Sequence, residues 1–354
     1  MARHPTVALT LLLVSAVAHA ADLEGRVRLS TGAGIDTNAR RDYSQVGAVT
    51  DGMLSLTGAA EGQVLFERVQ LRGSYDGGLR RFLLHPSEDV LIQAAEAEAS
   101  VALGRVFGVG VQGRGRDRRG GERDYSDLAG SVFFDFVPDA ALSLRAYVGG
   151  HRFVYWPVFD YSFAATEFGG SARYRLDKRH SLVAFGELGM RRYNADARPA
   201  PALLSLQATT GAEIDLGQRL DTAFQVGGGW AWRGPFTLSL TYAWVDQASN
   251  SFGETSRRHR LTGTAGFRLP WKVYFFAQLT AQFTHFPDGV YLSPEVENLS
   301  EDSENHNSAS VRFVRPVSKD IDVELRYALY QNRLPENGLD YLRQVGWIGL
   351  TWRP

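Results

Sequence analysis

The sequence predicts an all-β fold: a transmembrane antiparallel β-barrel of 16 strands, with 18 as the alternative, behind a secretory leader. Three observations carry this. Leu204, Leu206, Ala208, Thr210, Ala212, Ile214 and Leu216 alternate with Ser205, Gln207, Thr209, Gly211, Glu213 and Asp215, and the same period recurs at 236–244 and 273–283. A period of two is that of a strand with one apolar and one polar face. A soluble sandwich would bury the apolar faces together, whereas a membrane barrel turns them to lipid and keeps the polar set in its lumen. The second observation decides between these. A short basic start (Arg3, His4), an apolar run from Val7 to Val17 and Ala18-His19-Ala20 before Ala21 make a signal peptide with its cleavage site. The expected division is therefore a leader at 1–20 and one barrel at 21–354. The third is the placement of lysine. Lys178, Lys272 and Lys319 are the only lysines, and all fall in predicted short turns. An ammonium is strongly hydrated and costly on a lipid face.

The expected strands follow in order, with the residues opposite each apolar face assigned to the lumen. The first, 23–37, carries Arg26 and Arg28; 52–66 follows; 68–83 carries Arg68, Arg72 and Asp76. Glu96 and Glu98 lie in 88–104, Arg114 and Arg116 in 106–118, and Asp135 in 123–138. Arg145, Tyr147 and His151 lie in 140–154, Glu167, Arg173 and Arg175 in 160–177, and Glu187 and Arg191 in 180–195. Next come 203–217, then 220–232 with Asp221, 236–249, and 257–269 with Arg268. Tyr274 and Phe276 fall in 272–286, Arg312 in 305–318, and Glu324, Arg326 and Tyr330 in 320–333. The last strand, 341–353, alternates through Ile348, Leu350 and Trp352. Many such barrels end on an aromatic assembly signal; here Arg353 and Pro354 follow it.

Connections alternate between tight and long. Tight ones fall at Glu67, 104–105, 138–139, 178–179, 233–235, 270–272 and 318–319. Long ones fall at 38–51, 118–123, 155–160, 247–256, 287–305 and 334–340. Outer-membrane barrels have short periplasmic turns, long outer loops and an even number of strands. The strands named above are odd in number. Either 203–217 projects above the membrane within a long outer hairpin, giving 16, or a strand is missing, giving 18. Turn parity, with 233–235 periplasmic, favours 16.

Several classes of function are excluded by composition. No segment is apolar enough for a helical span. The chain has no Cys, so it has neither disulfides, thiolate metal sites nor a lipoprotein anchor. A net charge of −1 argues against nucleic-acid binding. Glu295, Glu297, Glu301, Asp302 and Glu304 crowd one loop but lack a calcium-loop register, so no metal and no cofactor is expected. His151, Ser162 and Asp160, or His285 and Asp288, could form a hydrolytic rim. No spacing sets a nucleophile beside a base beside an orienting acid, so no enzyme is expected. Gly227-Gly228-Gly229 lies inside a strand and is no phosphate loop.

Function must then sit in the lumen and loops. Thirteen luminal arginines (Arg26, Arg28, Arg68, Arg72, Arg114, Arg116, Arg145, Arg173, Arg175, Arg191, Arg268, Arg312, Arg326) face fewer acids (Asp76, Glu96, Glu98, Asp135, Glu167, Glu187, Asp221, Glu324). Arginine rings favour anionic solutes. The same arginines could instead pair across the wall and brace it. Tyr147, His151, Tyr274, Phe276 and Tyr330 could form a slide for sugar rings, or fill space against an inward-folded loop. The leading expectation is a channel or export conduit for an anionic solute or surface polysaccharide. The alternative is a non-conducting barrel that anchors an envelope machine or displays adhesive loops.

Two stretches carry a family resemblance. Gly32-Ala33-Gly34-Ile35-Asp36-Thr37-Asn38-Ala39 resembles the Gly-x-Gly-Tyr-Asp-x-Asn start of the first strand in many Gram-negative outer-membrane barrels, with Ile35 replacing the aromatic. Thr241-Tyr242-Ala243-Trp244, then Asn250-Ser251 and Arg258-His259-Arg260-Leu261, resembles a strand, Asn-Ser loop and His-Arg strand of the same group. That group includes the barrels of exopolysaccharide exporters and surface-lipoprotein assembly modifiers. The resemblance implies an outer-membrane location in a Gram-negative bacterium, with lipids and the barrel-assembly machinery as partners. Members often carry a helical-repeat scaffold, so it further implies a separate periplasmic scaffold or export partner here. It carries over no site residue.

Overall fold

A computed structural model describes residues 22–42, 47–121, 123–211, 214–288, 307–334 and 339–354. The expected leader at 1–20 and most of the acidic loop at 287–305 lie outside these residues. The chain forms β1 (Asp22–Asp36), β2 (Asp51–Leu65), β3 (Val69–Phe82), β4 (Val90–Ala102), β5 (Phe107–Arg119), β6 (Tyr125–Phe136), β7 (Leu142–Tyr155) and β8 (Phe163–Arg175). It continues with β9 (His180–Asp196), α1 (Pro201–Thr210), β10 (Gln218–Arg233), β11 (Phe236–Ser249), β12 (Ser256–Arg268), β13 (Tyr274–His285), β14 (Ser308–Pro316), β15 (Ile321–Leu334) and β16 (Leu339–Trp352). Each strand pairs antiparallel with its chain neighbours, and β16 pairs with β1 to close a barrel of 16 strands. The closing register runs from Leu29 opposite Trp352 to Asp36 opposite Val345. Observed strand ends lie close to the expected ones, and all three lysines fall in short connections (176–179, 269–273, 317–320).

The main correction concerns 203–217. Residues 201–210 are helical, and β9 pairs directly with β10 from His180 opposite Trp232 to Arg192 opposite Leu220. The alternation in this stretch is real, but a strand needs a neighbour and the sheet has no vacant edge there. The segment satisfies its own backbone instead. Pro201 sits in the first turn, where its missing N–H is no loss. Gly211, at φ 68°, ends the helix and donates its N–H to the Gln207 carbonyl at 2.8 Å. The hydroxyls of Ser205, Thr209 and Thr210 donate back to carbonyls four residues earlier. The projecting hairpin accounts for the count of 16.

Outward residues form an apolar belt. Leu29, Leu56, Leu79, Val111, Val132, Val148, Phe168, Leu188, Val226, Leu240, Leu261, Leu279, Leu325 and Ile348 are all exposed. At the short-turn end the belt becomes an aromatic girdle. Phe107 stacks on Phe136, Trp232 meets Phe236 with centroids 4.2 Å apart, and Phe275 bridges Phe267 and Phe313. In water this surface would aggregate, but in a bilayer it is the contact surface. Such a barrel is held in place by the lipids around it. Leu240 is 48% exposed within the belt, whereas its neighbour Thr241 faces inward, opposite Thr262. Leu240→Arg is expected to cost about 2–4 kcal/mol if it lies near the bilayer midplane. Thr241→Arg should be tolerated, and urea titration of both variants folded into lipid vesicles separates the two outcomes.

Candidate functional site: the lumen and its mouth

The polar face of each strand points inward, where glycines and rings shape the wall. The inward Tyr147 ring lies flat over Gly169 on β8, and Phe133 lies likewise over Gly110 on β5. A side chain at either glycine would run into the ring. These aromatics therefore line the wall rather than project from it. Tyr147 also donates its hydroxyl to Glu187. Phe276 lies beneath the guanidinium of Arg312, Tyr274 beneath Arg268 and Tyr330 beneath Arg343. The inward rings are thus held by glycines and arginines of the wall.

The arginines fall into two sets. Arg145 is braced: it donates to Asp135 at 2.8 and 2.9 Å and to Glu98 at 2.9 Å, and its guanidinium sits 3.8 Å over the Phe133 ring. Arg312 and Arg326 share Glu324, whose second oxygen accepts from the Thr351 hydroxyl at 3.0 Å. Arg72 donates to Gln63. Arg191 lies over Phe163 and Arg116 over Tyr125. Arg26 meets Glu61 at 3.6 Å with side chains 85% and 63% exposed. In the other set, the side chains of Arg28, Arg114, Arg173 and Arg175 face inward, are exposed and make no hydrogen bond or ion pair among the described residues. Glu96 stands opposite Arg114 in register without an ion-pair contact. Arg68 lies in the turn before β3 rather than in a strand. Exposed side chains inside a closed barrel border water. A cavity of about 490 Å³ between β1 and β5 is lined by Glu24, Arg26, Glu61, Arg72, Glu96 and Glu98.

At the long-loop end the picture reverses, because buried polar groups gather there. Asp36 and Arg343 form an ion pair at 2.5 Å, with side chains 0% and 2% exposed. Asn38 donates its backbone N–H to Asp36, and its side chain bonds both the N–H and the carbonyl of Asp42. This turns residues 37–42 inward. Ala39 packs on the inward-facing Met53, Phe82 and Trp347. Arg123, from the β5–β6 connection, donates to the carbonyls of Arg40 and Arg41 at 3.1 and 3.2 Å. The β7–β8 connection likewise tucks Tyr161 against Tyr125 and Tyr155.

A second buried network clamps the α1 hairpin. Arg219 pairs with Asp221 at 2.7 Å and Glu254 at 2.9 Å, and lies 3.9 Å over the Tyr193 ring. Burial pushes the Glu254 carboxyl above its ordinary value, against the pull of Arg219 and Arg198. Ser251 accepts from the Arg198 N–H, and Asn250 bonds the backbone of Gln218 and Leu220. A cavity of about 400 Å³ opens here, lined by Asp160, Tyr161, Asp196, Arg198 and Arg219 among others.

Strand-by-strand reading named Asp221 but missed Asp36, Arg343, Arg219 and Glu254 as a rim. The one signal was the resemblance, since Asp36 and Asn38 lie in its first motif and Asn250 and Ser251 in its second. The considered hydrolytic set does not assemble. His151 places Nε2 at 2.7 Å from Asp127 and Nδ1 at 2.9 Å from Glu167, while the Ser162 hydroxyl accepts from the Tyr155 N–H. Asp36→Ala would leave Arg343 buried without its carboxylate, at an expected cost of about 3–5 kcal/mol. Urea unfolding in vesicles should register this loss, and limited proteolysis should cut faster near Arg40 and Arg41.

No family model matches this chain, and no curated protein matches it. Among solved structures, a BenF-like porin from Pseudomonas fluorescens Pf-5 aligns at 6% identity over 94% of this chain and 99% of that one, with a TM-score of 0.49. OccAB1 of Acinetobacter baumannii aligns at 10% identity over 94% and 97%, with a TM-score of 0.46. A bacterial polysaccharide outer membrane secretin aligns at 8% over 93% and 98%, with a TM-score of 0.43. The closed antiparallel sheet, the apolar belt with its girdle and the alternation of short turns with long loops make the chain a transmembrane β-barrel of the outer-membrane type.

Proposed function

We propose that the barrel is a channel whose lumen favours anionic solutes and whose outer mouth is narrowed by the inward-folded residues 37–42. The observation that carries this reading is the exposed, unpaired inward set: Arg28, Arg114, Arg173 and Arg175. Sixteen strands leave an aqueous lumen unless loops fill it. Low-dielectric walls focus the field of fixed charges, so unpaired arginines raise the local concentration of anions. Braced arginines such as Arg145 hold the wall and contribute less. The cargo class is a small anion or an acidic polysaccharide chain, and the narrowed mouth favours the smaller. The outward alternation of Ile348, Leu350 and Trp352 is the segment that barrel-assembly machinery would read. An export role would add a periplasmic partner at the short-turn end.

One observation favours the second reading, a non-conducting barrel that anchors a larger assembly or displays adhesive loops. The α1 helix is uncharged, stands clear of the wall and exposes Leu203, Leu204 and Leu206.

Planar bilayers divide the two. Reconstituted protein should give channel steps with reversal potentials on the anion side. Arg114→Gln with Arg116→Gln should move selectivity toward cations. High salt should flatten it, because the Debye length is about 10 Å at 0.1 M. Confirmed insertion without channel steps would sink the conduit reading. Selectivity unchanged by both substitutions would reduce the arginines to bracing.

A further inference from the structure

The outward face of β7–β9 carries charge where lipid would touch it. Among the described side chains, five outward strand arginines lie toward the long-loop end: Arg81, Arg119, Arg152, Arg192 and Arg257. Three have carboxylate partners, namely Asp89, Asp117 and Asp246. Arg152 and Arg192 have none among the described residues; Arg192 is held by the Gln218 side chain alone. Both pair in register with Ala164, one from each side. Neighbouring strands lie about 4.8 Å apart, so the two Cα atoms stand about 10 Å from each other. Ala164 has only a methyl group between them, and Thr166 presents a hydroxyl on the same face of β8. The floor of the slot is small and its two walls are cationic.

Depth fixes what meets the slot. Leu182 is level with Tyr174 and Trp230 near the short-turn girdle. From there to Arg192 the strand climbs roughly 25 Å along the membrane normal, taking about 3.3 Å per residue and a tilt of about 40°. The apolar band of such barrels is about 25 Å tall, so the slot opens at the far boundary of the hydrocarbon. Met190 and Leu188 continue the belt below it, and Trp156 and Phe159 are exposed in the connection above. Buried in the belt, two unpaired arginines would be strongly destabilising; at this level they reach headgroups. The nearest outward acid on β6–β10 is Asp196 at the end of β9, which lines the cavity beside Arg198 and Arg219.

We propose that Arg152, Ala164, Thr166 and Arg192 form a binding slot for the phosphorylated headgroup of an outer-leaflet glycolipid. Guanidinium groups grip phosphate oxygens bidentately, and the acyl chains continue down the belt over Met190 and Leu188. The slot acts on the lipid side of the wall and stands whether or not the lumen conducts.

The test uses the folded barrel in phosphatidylcholine vesicles doped with a phosphorylated lipid A or its dephosphorylated form, read by native mass spectrometry of the retained lipid. Wild-type protein should retain the phosphorylated form and not the other. The double variant Arg152→Ala with Arg192→Ala should retain about a hundredfold less, about tenfold for each of the two charge-assisted contacts removed. Arg315→Ala, at an outward arginine of the short-turn end, should retain as much as wild type. Heat-modified gel migration verifies that each variant is folded, and the dephosphorylated arm needs no variant. Equal retention of both lipids by wild type overturns the proposal. So does undiminished retention by the double variant. Displacement of the lipid by equimolar inorganic phosphate also overturns it, because a simple anion site would then suffice.

Discussion

The pairing of β1 with β16 is the constraint on which the rest of this molecule depends. In hydrocarbon an open sheet edge leaves donors and acceptors that nothing can satisfy, so a strand-built membrane protein must close on itself. Closure joins Leu29–Asp36 to Val345–Trp352, at opposite ends of the sequence. Polar contacts mark this seam on its inner side. Ser30 and Thr351 share a hydrogen bond at 2.9 Å, and Asp36 grips Arg343 near the mouth. The ion pair ends the seam where lipid gives way to loops, and the same Asp36 anchors the segment that bends over the opening. Sheet closure and mouth geometry are therefore one structural problem, solved by one carboxylate.

Alternation alone revealed the sheet because each strand meets two unlike solvents. Phe236, Leu238, Leu240 and Tyr242 meet lipid while Thr237, Ser239 and Thr241 meet water, and no loop chemistry is needed to read this. The same rule misled at 203–217. Leu204, Leu206 and Ala208 fit a strand as well as any, but a strand exists only beside another, and β10 had already taken the place next to β9. Periodicity reports which residues could share a face, not whether a neighbour is available.

The mouth was hidden for a different reason. Asp36 and Arg343 sit on inward faces of strands that are adjacent only after closure, and nothing local distinguishes them from other rim charges. Arg219 resembles any solvated arginine until Tyr193, Asp221 and Glu254 are folded around it. The division of the luminal arginines was equally invisible. Arg145 and Arg114 have the same side chain on the same face, yet one meets two carboxylates and the other none at contact distance. Which acid turns toward which base depends on side-chain reach across the wall, and strand assignment does not supply that.

The stagger of the seam has one more effect. β1 begins at Asp22, but β16 covers it only from Leu29 onward, so Asp22–Arg28 has a partner in β2 and none on its other side among the described residues. Backbone groups left bare in this way must be wetted. Hydrocarbon at the seam therefore ends near Leu29 and Trp352, and water stands against the wall below them. Glu24, Arg26 and Arg28 also make this stretch a poor template for a stray strand, because charge on an edge discourages pairing. The uneven ends of two strands thus act as a draught mark, fixing how deep the barrel can ride in its membrane on that side.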